Sequence, residues 1–431
     1  GVDYLCLEAL AELTLAILQK DRQRDERRGY TRDLPAYLTR ALPYVADGRT
    51  KVVTNAGGIN PAGAARAAVE TAKELGISGI TIATVLGDDL LGRLDDVRGA
   101  GNDLAHLDTA TPFALMPEPP LLASAYLGAR PIADALEQGA DIVITGRAAD
   151  ASLFLGPLAY RHSWAWDDWD RLAAGILVGH LLECSGQSLG GNYSGDWWDL
   201  PHPWDLPYPI ADVDADGTAT IRKPSGAGGR VSTDTLRHQL LYEVHDPARY
   251  LAPDVVADFA SAHFEDLPDD RVRISGVRGT PATDTYKLLL AHHAGWAGEA
   301  RVAFSWPDAY EKAKATAAIF AKRVEMAELP VAEWRVEYWG VDALGGPTVP
   351  APVEGCEPPE CVLRIAWRCD DQRTAGLVGR ELVPLTLSAP PAGLTGAGRG
   401  GGAATELLAI WPTLVRKADV DSHVSIVLED V

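Results

Sequence analysis

Lys51-Val52-Val53-Thr54-Asn55-Ala56-Gly57-Gly58-Ile59-Asn60-Pro61 decides how the fold is read. Its first four residues form a short run with an apolar centre and no alternation, the mark of a strand buried on both faces. The chain then turns through paired glycines. Asn60 suits the N-cap of a helix and Pro61 its first turn, and the helix continues through Ala64–Leu75 to a stop at Gly76. Working outwards, Ile80–Val85 and Asp141–Thr145 are runs of the same kind. They end in Gly87-Asp88-Asp89 and in Gly146-Arg147-Ala148-Ala149-Asp150. Asp3–Cys6 and Ala123–Leu127 read as further strands. Leu7–Gln19, Pro131–Gln138, a segment from Ala151 and Asp168–Glu183 read as helices. Buried strands alternating with helices predict an α/β fold with a parallel, Rossmann-like sheet in the N-terminal half.

Gly186–Pro209 is rich in Gly, Trp and Pro and has no period. A domain boundary is expected there, with a parallel α/β domain over 1–205 and an α+β domain over 206–431. Beyond it, Ile210–Asp214 and Thr218–Arg222 flank Ala215-Asp216-Gly217 as a hairpin. Thr233–Tyr242 and Asp308–Val324 read as helices and Val272–Gly276 as a strand, while Glu333–Trp339 and Val362–Arg368 alternate like half-exposed strands. Two Gly/Pro-rich loops, Leu344–Pro359 and Ala389–Ala403, interrupt this half. No internal repeat is visible.

Composition narrows the function. The 431 residues are 47% apolar and 23% charged, an ordinary globular balance. Lys and Arg number 39 against 60 Asp and Glu, a net charge of −21. A surface this acidic repels phosphate backbones and anionic lipid, so neither nucleic-acid binding nor a polybasic membrane tether is expected. An anionic substrate would need its own cluster of Arg or backbone N–H groups. The five cysteines are an odd number in a long chain, which points to free thiols in a reducing, cytoplasmic compartment. No apolar run reaches the length of a membrane span. The chain opens Gly1-Val2-Asp3 on a strand candidate, with neither Met nor a basic leader, and further residues are expected upstream.

In an open parallel sheet, ligands bind beyond the carboxyl ends of the strands. Three polar loops occupy such ends here. Asn55, Gly57 and Gly58 precede a helix and can offer N–H groups to an anion, or form only a tight turn. Asp88 and Asp89 suit a base, a metal ligand or a cap. Arg147 can clamp a carboxylate or pair with Asp150 or Asp141. His180, Glu183 and Cys184 fall on one helical face by their i,i+3 and i,i+4 spacing. A His beside a thiol can make it a thiolate nucleophile; the alternative is an inert thiol and a core histidine. Gly228, Gly229 and Arg230 precede a helix as a second candidate anion cradle. The block Asp21–Arg28, with both signs of charge, reads as a solvated helix end or loop. Cys356, Cys361 and Cys369 lack paired C-x2-C spacing and a fourth ligand, so no metal is expected. Of the 12 tryptophans, those clustered near the boundary read mainly as packing. No dinucleotide, Walker A, zincin, nucleophile-elbow or kinase signature is present.

Several stretches together resemble the acyclic terpene utilisation A-type family, a group of mostly bacterial proteins. They are Asp3-Tyr4-Leu5 with Ala11-Glu12-Leu13-Thr14; Val52–Pro61; Gly87-Asp88-Asp89; Gly139–Arg147; Ala149–Leu153; Gly179–Cys184; Gln239–Pro247; and Pro253–Phe259. They span most of the chain. The resemblance implies a place in the acyl-CoA catabolism of branched isoprenoid acids and supplies no agreed catalytic residues. Two stretches depart from the family pattern: Ser388–Gly393, where Gly-Pro-Pro-Gly is usual, and the Trp-rich Asp196–Trp204 loop. Both leave room for a role in natural-product metabolism.

The resulting expectation is an enzyme acting on the acyl group of an acyl-CoA or related activated carboxylate, by transfer, hydrolysis or a lyase step. Cys184, His180, Asp150 and Glu183 would carry the chemistry. Asn55, Gly57, Gly58, Asp88, Asp89, Arg147, Gly228, Gly229 and Arg230 would bind the substrate. No cofactor is expected, coenzyme A entering only as the substrate's thioester, and a homo-oligomer is expected. Two rivals stand beside this reading: sulfur transfer giving a thiocarboxylic acid, and a non-catalytic partner of an acyl-CoA carboxylase or synthetase.

Overall fold

A computed structural model describes residues 1–348, 357–392, 394–396 and 404–431. The chain groups into two compact units. One contains residues 1–116, 120–291 and 410–431, and the other 117–119 and 292–409. The fold is mixed α/β, with a largely parallel sheet and several antiparallel ones.

In chain order the first unit opens with β1 (Tyr4–Leu7), α1 (Glu12–Arg24), α2 (Leu34–Ala46), β2 (Lys51–Thr54), α3 (Pro61–Glu74) and β3 (Thr81–Leu86). It continues with α4 (Leu94–Gly99), β4 (Pro120–Ala125), α5 (Arg130–Glu137), β5 (Ile142–Thr145), α6 (Ser152–His162) and α7 (Trp169–Glu183). Strands β1, β2, β5 and β3 lie side by side in that order, all parallel, and Ser425–Asp430 adds an antiparallel edge against β3. The apolar runs are buried on both faces because alternate residues enter different cores. Val52, Ile82, Ile142 and Ile144 pack with Leu38, Ala64 and Ala68 of α2 and α3. Val53, Ala83, Val85 and Val143 pack with Leu136 and Leu153 of α5 and α6. The helix after β2 starts as its sequence dictates: Asn60 Oδ1 accepts the Gly63 N–H at 3.0 Å and Pro61 stands in the first turn.

One departure matters for the site. The sequence places a helix directly from Leu7, but Leu7 ends the strand and the helix starts at Glu12. The intervening turn is held by side chains. Asn55 Oδ1 accepts the Ala9 N–H at 2.8 Å, and Glu8 Oε1 accepts the Leu10 N–H at 2.6 Å. Glu8 therefore stands at the carboxyl end of β1. A further core joins α6 and α7 to antiparallel strands, with Leu155, Leu177, Phe259 and Val272 at its centre. The expected hairpin is among these, as Ile210–Val213 against Ala219–Arg222.

In the second unit, Trp296–Ser305 of the long strand Thr285–Ser305 pair antiparallel with Glu360–Cys369, which pairs in turn with Glu333–Trp339. The helix Ala309–Met326 buries Phe320 beside Trp367. Cys361 and Cys369 are buried on one strand, and Cys356 lies outside the described residues, as do parts of both Gly/Pro-rich loops. Among the described residues no helix is long and apolar enough to cross a membrane.

Candidate functional site

The site forms at the carboxyl ends of the parallel strands. Asn55, the residue after β2, is fully buried, and its Nδ2–H donates to Glu8 Oε1 at 3.1 Å. Asn55 thus locks the loop after β1 to the loop after β2. Asp88 ties the next two loops together: its Oδ2 accepts the Ser124 hydroxyl at 2.9 Å and the Arg147 N–H at 2.8 Å. Burial pushes its carboxyl up to about 6, against the pull of those hydrogen bonds. A Cβ at Gly146 would collide with this carboxylate. Asp89 accepts the Leu91 N–H at 3.0 Å, a local turn, with Arg22 at 3.9 Å.

Arg147 is 2% exposed. Its Nη1 donates to the Leu10 carbonyl and its Nη2 to Asp150 Oδ1 at 2.8 Å, and its guanidinium lies 4.0 Å over the Tyr126 ring. Of the two pairings open in the sequence, the structure has Asp150; Asp141 binds Lys51 at 2.8 Å instead. The buried cation serves to orient carboxylates, since Glu8 is also 3.9 Å away.

His180 is buried on α7, stacked on Phe259. Its Nε2 faces the carbonyls of Gln239 and Leu240 at 3.1 and 3.2 Å, so that nitrogen carries a hydrogen. Its Nδ1 meets Glu183 Oε1 at 3.0 Å, a bond that requires one proton between them. Burial raises the proton affinity of Glu183; His180 opposes this, while Glu8 and Glu243 add to it. The second oxygen, Oε2, is buried and has no hydrogen-bond partner. Asp150 is pushed up to about 7, first by burial and then by the charges of Glu183 and Glu8, with Arg147 pulling the other way. Cys184 caps the end of α7, half-buried. Burial and the Glu183 carboxylate push its thiol up to about 11, so it is a neutral thiol at pH 7. Spacing alone predicts activation by His180, but His180 spends its nitrogens on Glu183 and on two carbonyls.

Of these groups Glu8, Glu183 and Cys184 line a cavity of about 720 Å³, while Asn55, Asp88, Asp89, Arg147, Asp150 and His180 are not in its wall. Thr54 and Ala56 join the lining, and Leu7, Ile17, Leu18, Leu34 and Leu182 make much of the rest apolar. Volume and lining are those of a small-molecule site.

The glycine loops lie differently. Gly57 packs against the Thr145 carbonyl and Pro61, and Gly58 sits at φ +55°. The Gly58, Ile59 and Asn60 N–H groups donate to the carbonyls of Asn55, Gly29 and Gly57. Those of Gly228, Gly229 and Arg230 donate to Asp205, Pro201 and Leu189, and the Arg230 guanidinium binds Asp196 at 2.9 Å. None of these last partners lines the cavity, and these six amides are spent inside the chain. The residue that sequence reasoning missed is Glu8. It follows a half-buried edge strand rather than a buried one, and helical spacing from Leu7 hides the turn in which it stands.

The model of the acyclic terpene utilisation family protein AtuA matches residues 1–426, and the chain belongs to that family. No curated protein and no solved structure matches the chain.

Proposed function

From membership of a family of acyclic terpene utilisation, we propose that this chain is an enzyme acting on the acyl group of an acyl-CoA or related activated carboxylate. The acyl chain occupies the 720 Å³ cavity at the carboxyl ends of a Rossmann-like parallel core. The observation that carries this reading is Glu183. One of its oxygens is bonded to His180, and the other stands buried and unpartnered in a residue of the cavity wall. A carboxyl whose proton affinity is raised by burial is suited to give a proton to a reacting acyl group and take it back at neutral pH. His180, held by two carbonyls, orients that carboxyl through Nδ1. Glu8 and Glu243 add to the effect of burial on it, because neighbouring carboxylates disfavour each other's ionisation. The branched aliphatic walls suit an isoprenoid chain.

Acid–base chemistry at Glu183 is better supported than covalent chemistry at Cys184, whose thiol lies at about 11. Sulfur transfer through Cys184 has less support for the same reason. The test is incubation of the purified chain with acyl-CoA thioesters of branched isoprenoid acids, followed by mass analysis of the products. Consumption by the chain alone supports the reading. Consumption only after a carboxylase or synthetase is added would replace it with the role of a non-catalytic partner.

A further inference from the structure

A second cavity of about 420 Å³ shares Asp21 and Arg32 with the first. It is lined by Arg27, Arg28, Arg32 and Arg66 with Tyr30 among them, and by the carboxylates Asp21, Asp25 and Glu70. Four guanidinium groups around one hollow are unexpected in a chain of net charge −21. Arg27 and Arg28 come from the stretch that its mixed charges mark as a solvated helix end, Arg32 follows it, and Arg66 stands on α3, where Gly63 and Ala67 keep the wall low.

Three carboxylates, Asp21, Asp25 and Glu70, stand among the four arginines, which leaves one guanidinium in excess. Asp21 is 5% exposed and holds Arg32 through two hydrogen bonds of 2.8 and 2.6 Å, which fixes that guanidinium where the two cavities meet. Asp25 is shared between Arg27 at 3.2 Å and Arg28 at 3.7 Å, both largely exposed. Exposed pairs of that kind contribute little, so a phosphate can take these arginines over. Arg66 is exposed and has no ion-pair partner among the described residues. Arginine forks match phosphate oxygens bidentately, and an aromatic ring among them offers a face for a base to stack on.

We propose that this arginine-lined cavity binds the phosphorylated adenosine end of coenzyme A, with the pantetheine arm passing Asp21 and Arg32 into the acyl cavity. The inference rests on the acyl-CoA reading above and narrows it to coenzyme A as the carrier. It also supplies the local cationic nest that an anionic thioester requires against the field of an acidic protein.

The test is titration calorimetry of the full chain with coenzyme A, dephospho-coenzyme A, ADP and pantetheine. Coenzyme A should bind at least tenfold more tightly than pantetheine, weaken without its 3′-phosphate, and weaken as salt rises. The paired charge reversals Arg28→Glu and Arg66→Glu, on exposed side chains, should weaken coenzyme A at least tenfold and leave pantetheine binding unchanged. Circular dichroism checks that the variant is folded. Equal affinity for coenzyme A and pantetheine would overturn the proposal, as would a Kd for coenzyme A unmoved by the charge reversals. ADP binding as tightly as coenzyme A would make this a general nucleotide site and overturn the carrier assignment. The two readings fail separately. Arginine-dependent coenzyme A binding with no turnover of any acyl thioester upholds the subsite and counts against the acyl chemistry. Turnover of an acyl-pantetheine, with coenzyme A binding indifferent to the arginines, does the reverse.

Discussion

At Cys184, spacing and environment disagree, and the environment decides. His180, Glu183 and Cys184 share a helical face, which is all the sequence conveys; it does not show that the Nε2–H of His180 goes to Gln239 and Leu240, carbonyls of a distant segment. With its thiol at about 11, Cys184 should be alkylated slowly by iodoacetamide at pH 7.5, at a rate that climbs steadily to pH 10. Peptide mass analysis follows this, and a rate reaching its plateau below pH 8 would point to a thiolate. Cys184→Ala should keep turnover of an acyl thioester within about tenfold, below the 10²–10⁴ typical of a lost acid–base group. Glu8 makes a separate prediction. Its negative charge adds to the burial that raises the proton affinity of Glu183, so Glu8→Gln should move the high-pH limb of kcat/KM to lower pH. An unmoved limb in a folded variant would remove Glu8 from the site. Asp150 and Arg147 were legible as neighbours three residues apart after a buried strand. Glu8 was not, because the end of β1 depends on hydrogen bonds from Asn55, which the local sequence does not encode.

Elements were legible where the signal is local. The runs at Lys51–Thr54 and Ile142–Thr145 are apolar because both faces are covered, and Asn60-Pro61 starts α3 where its chemistry requires. Helix α2, over Leu34–Ala46, is obscured by its prolines, although Pro35 stands harmlessly in the first turn and only Pro43 is interior. The edge strand Ser425–Asp430 pairs with β3 from the far end of the chain, a contact that no local pattern announces. The loop after β5 depends on one glycine. Gly146→Ala would drive a Cβ into the Asp88 carboxylate, which bonds Ser124 and the Arg147 N–H. This substitution should cost about 3 kcal/mol, the upper range for single substitutions, read from the urea midpoint at constant m. A loss below 0.5 kcal/mol would show that the loops are not locked together. His180→Ala should also destabilise the chain, because it removes the donor shared by the Gln239 and Leu240 carbonyls, of which Gln239 keeps the Tyr242 N–H.

For the whole molecule, charge sets how stability responds to pH. Asp88 is pushed up to about 6 and Asp150 to about 7, and Glu183 and Asp254 also move up, all chiefly through burial. Groups with raised values hold their protons more tightly when folded. Their contribution is complete below pH 4 and is lost as pH rises through about 6 and 7. For fully buried Asp88 this amounts to about 3 kcal/mol. Glu12 and Asp21 are shifted the other way, Glu12 because Lys287, Tyr126 and Arg147 together outweigh its burial and Asp21 chiefly by Arg32, and their contribution is lost only at acid pH. The melting temperature should therefore be higher at pH 5.5 than at pH 8. Added salt should narrow the gap by screening a net charge of −21; a steady rise from pH 5.5 to 8 would contradict this. The same charge argues against nucleic acid and anionic lipid on the sequence alone, whereas the arginine-lined cavity forms only when residues 21–32 meet α3. The account turns on Glu183, and the measurement that tests it most directly is kcat of the wild-type chain and of Glu183→Gln on an acyclic isoprenoid acyl-CoA. The expected result is turnover by the wild type and a loss of about 100-fold or more in kcat with KM little changed; equal kcat in the two proteins would contradict it.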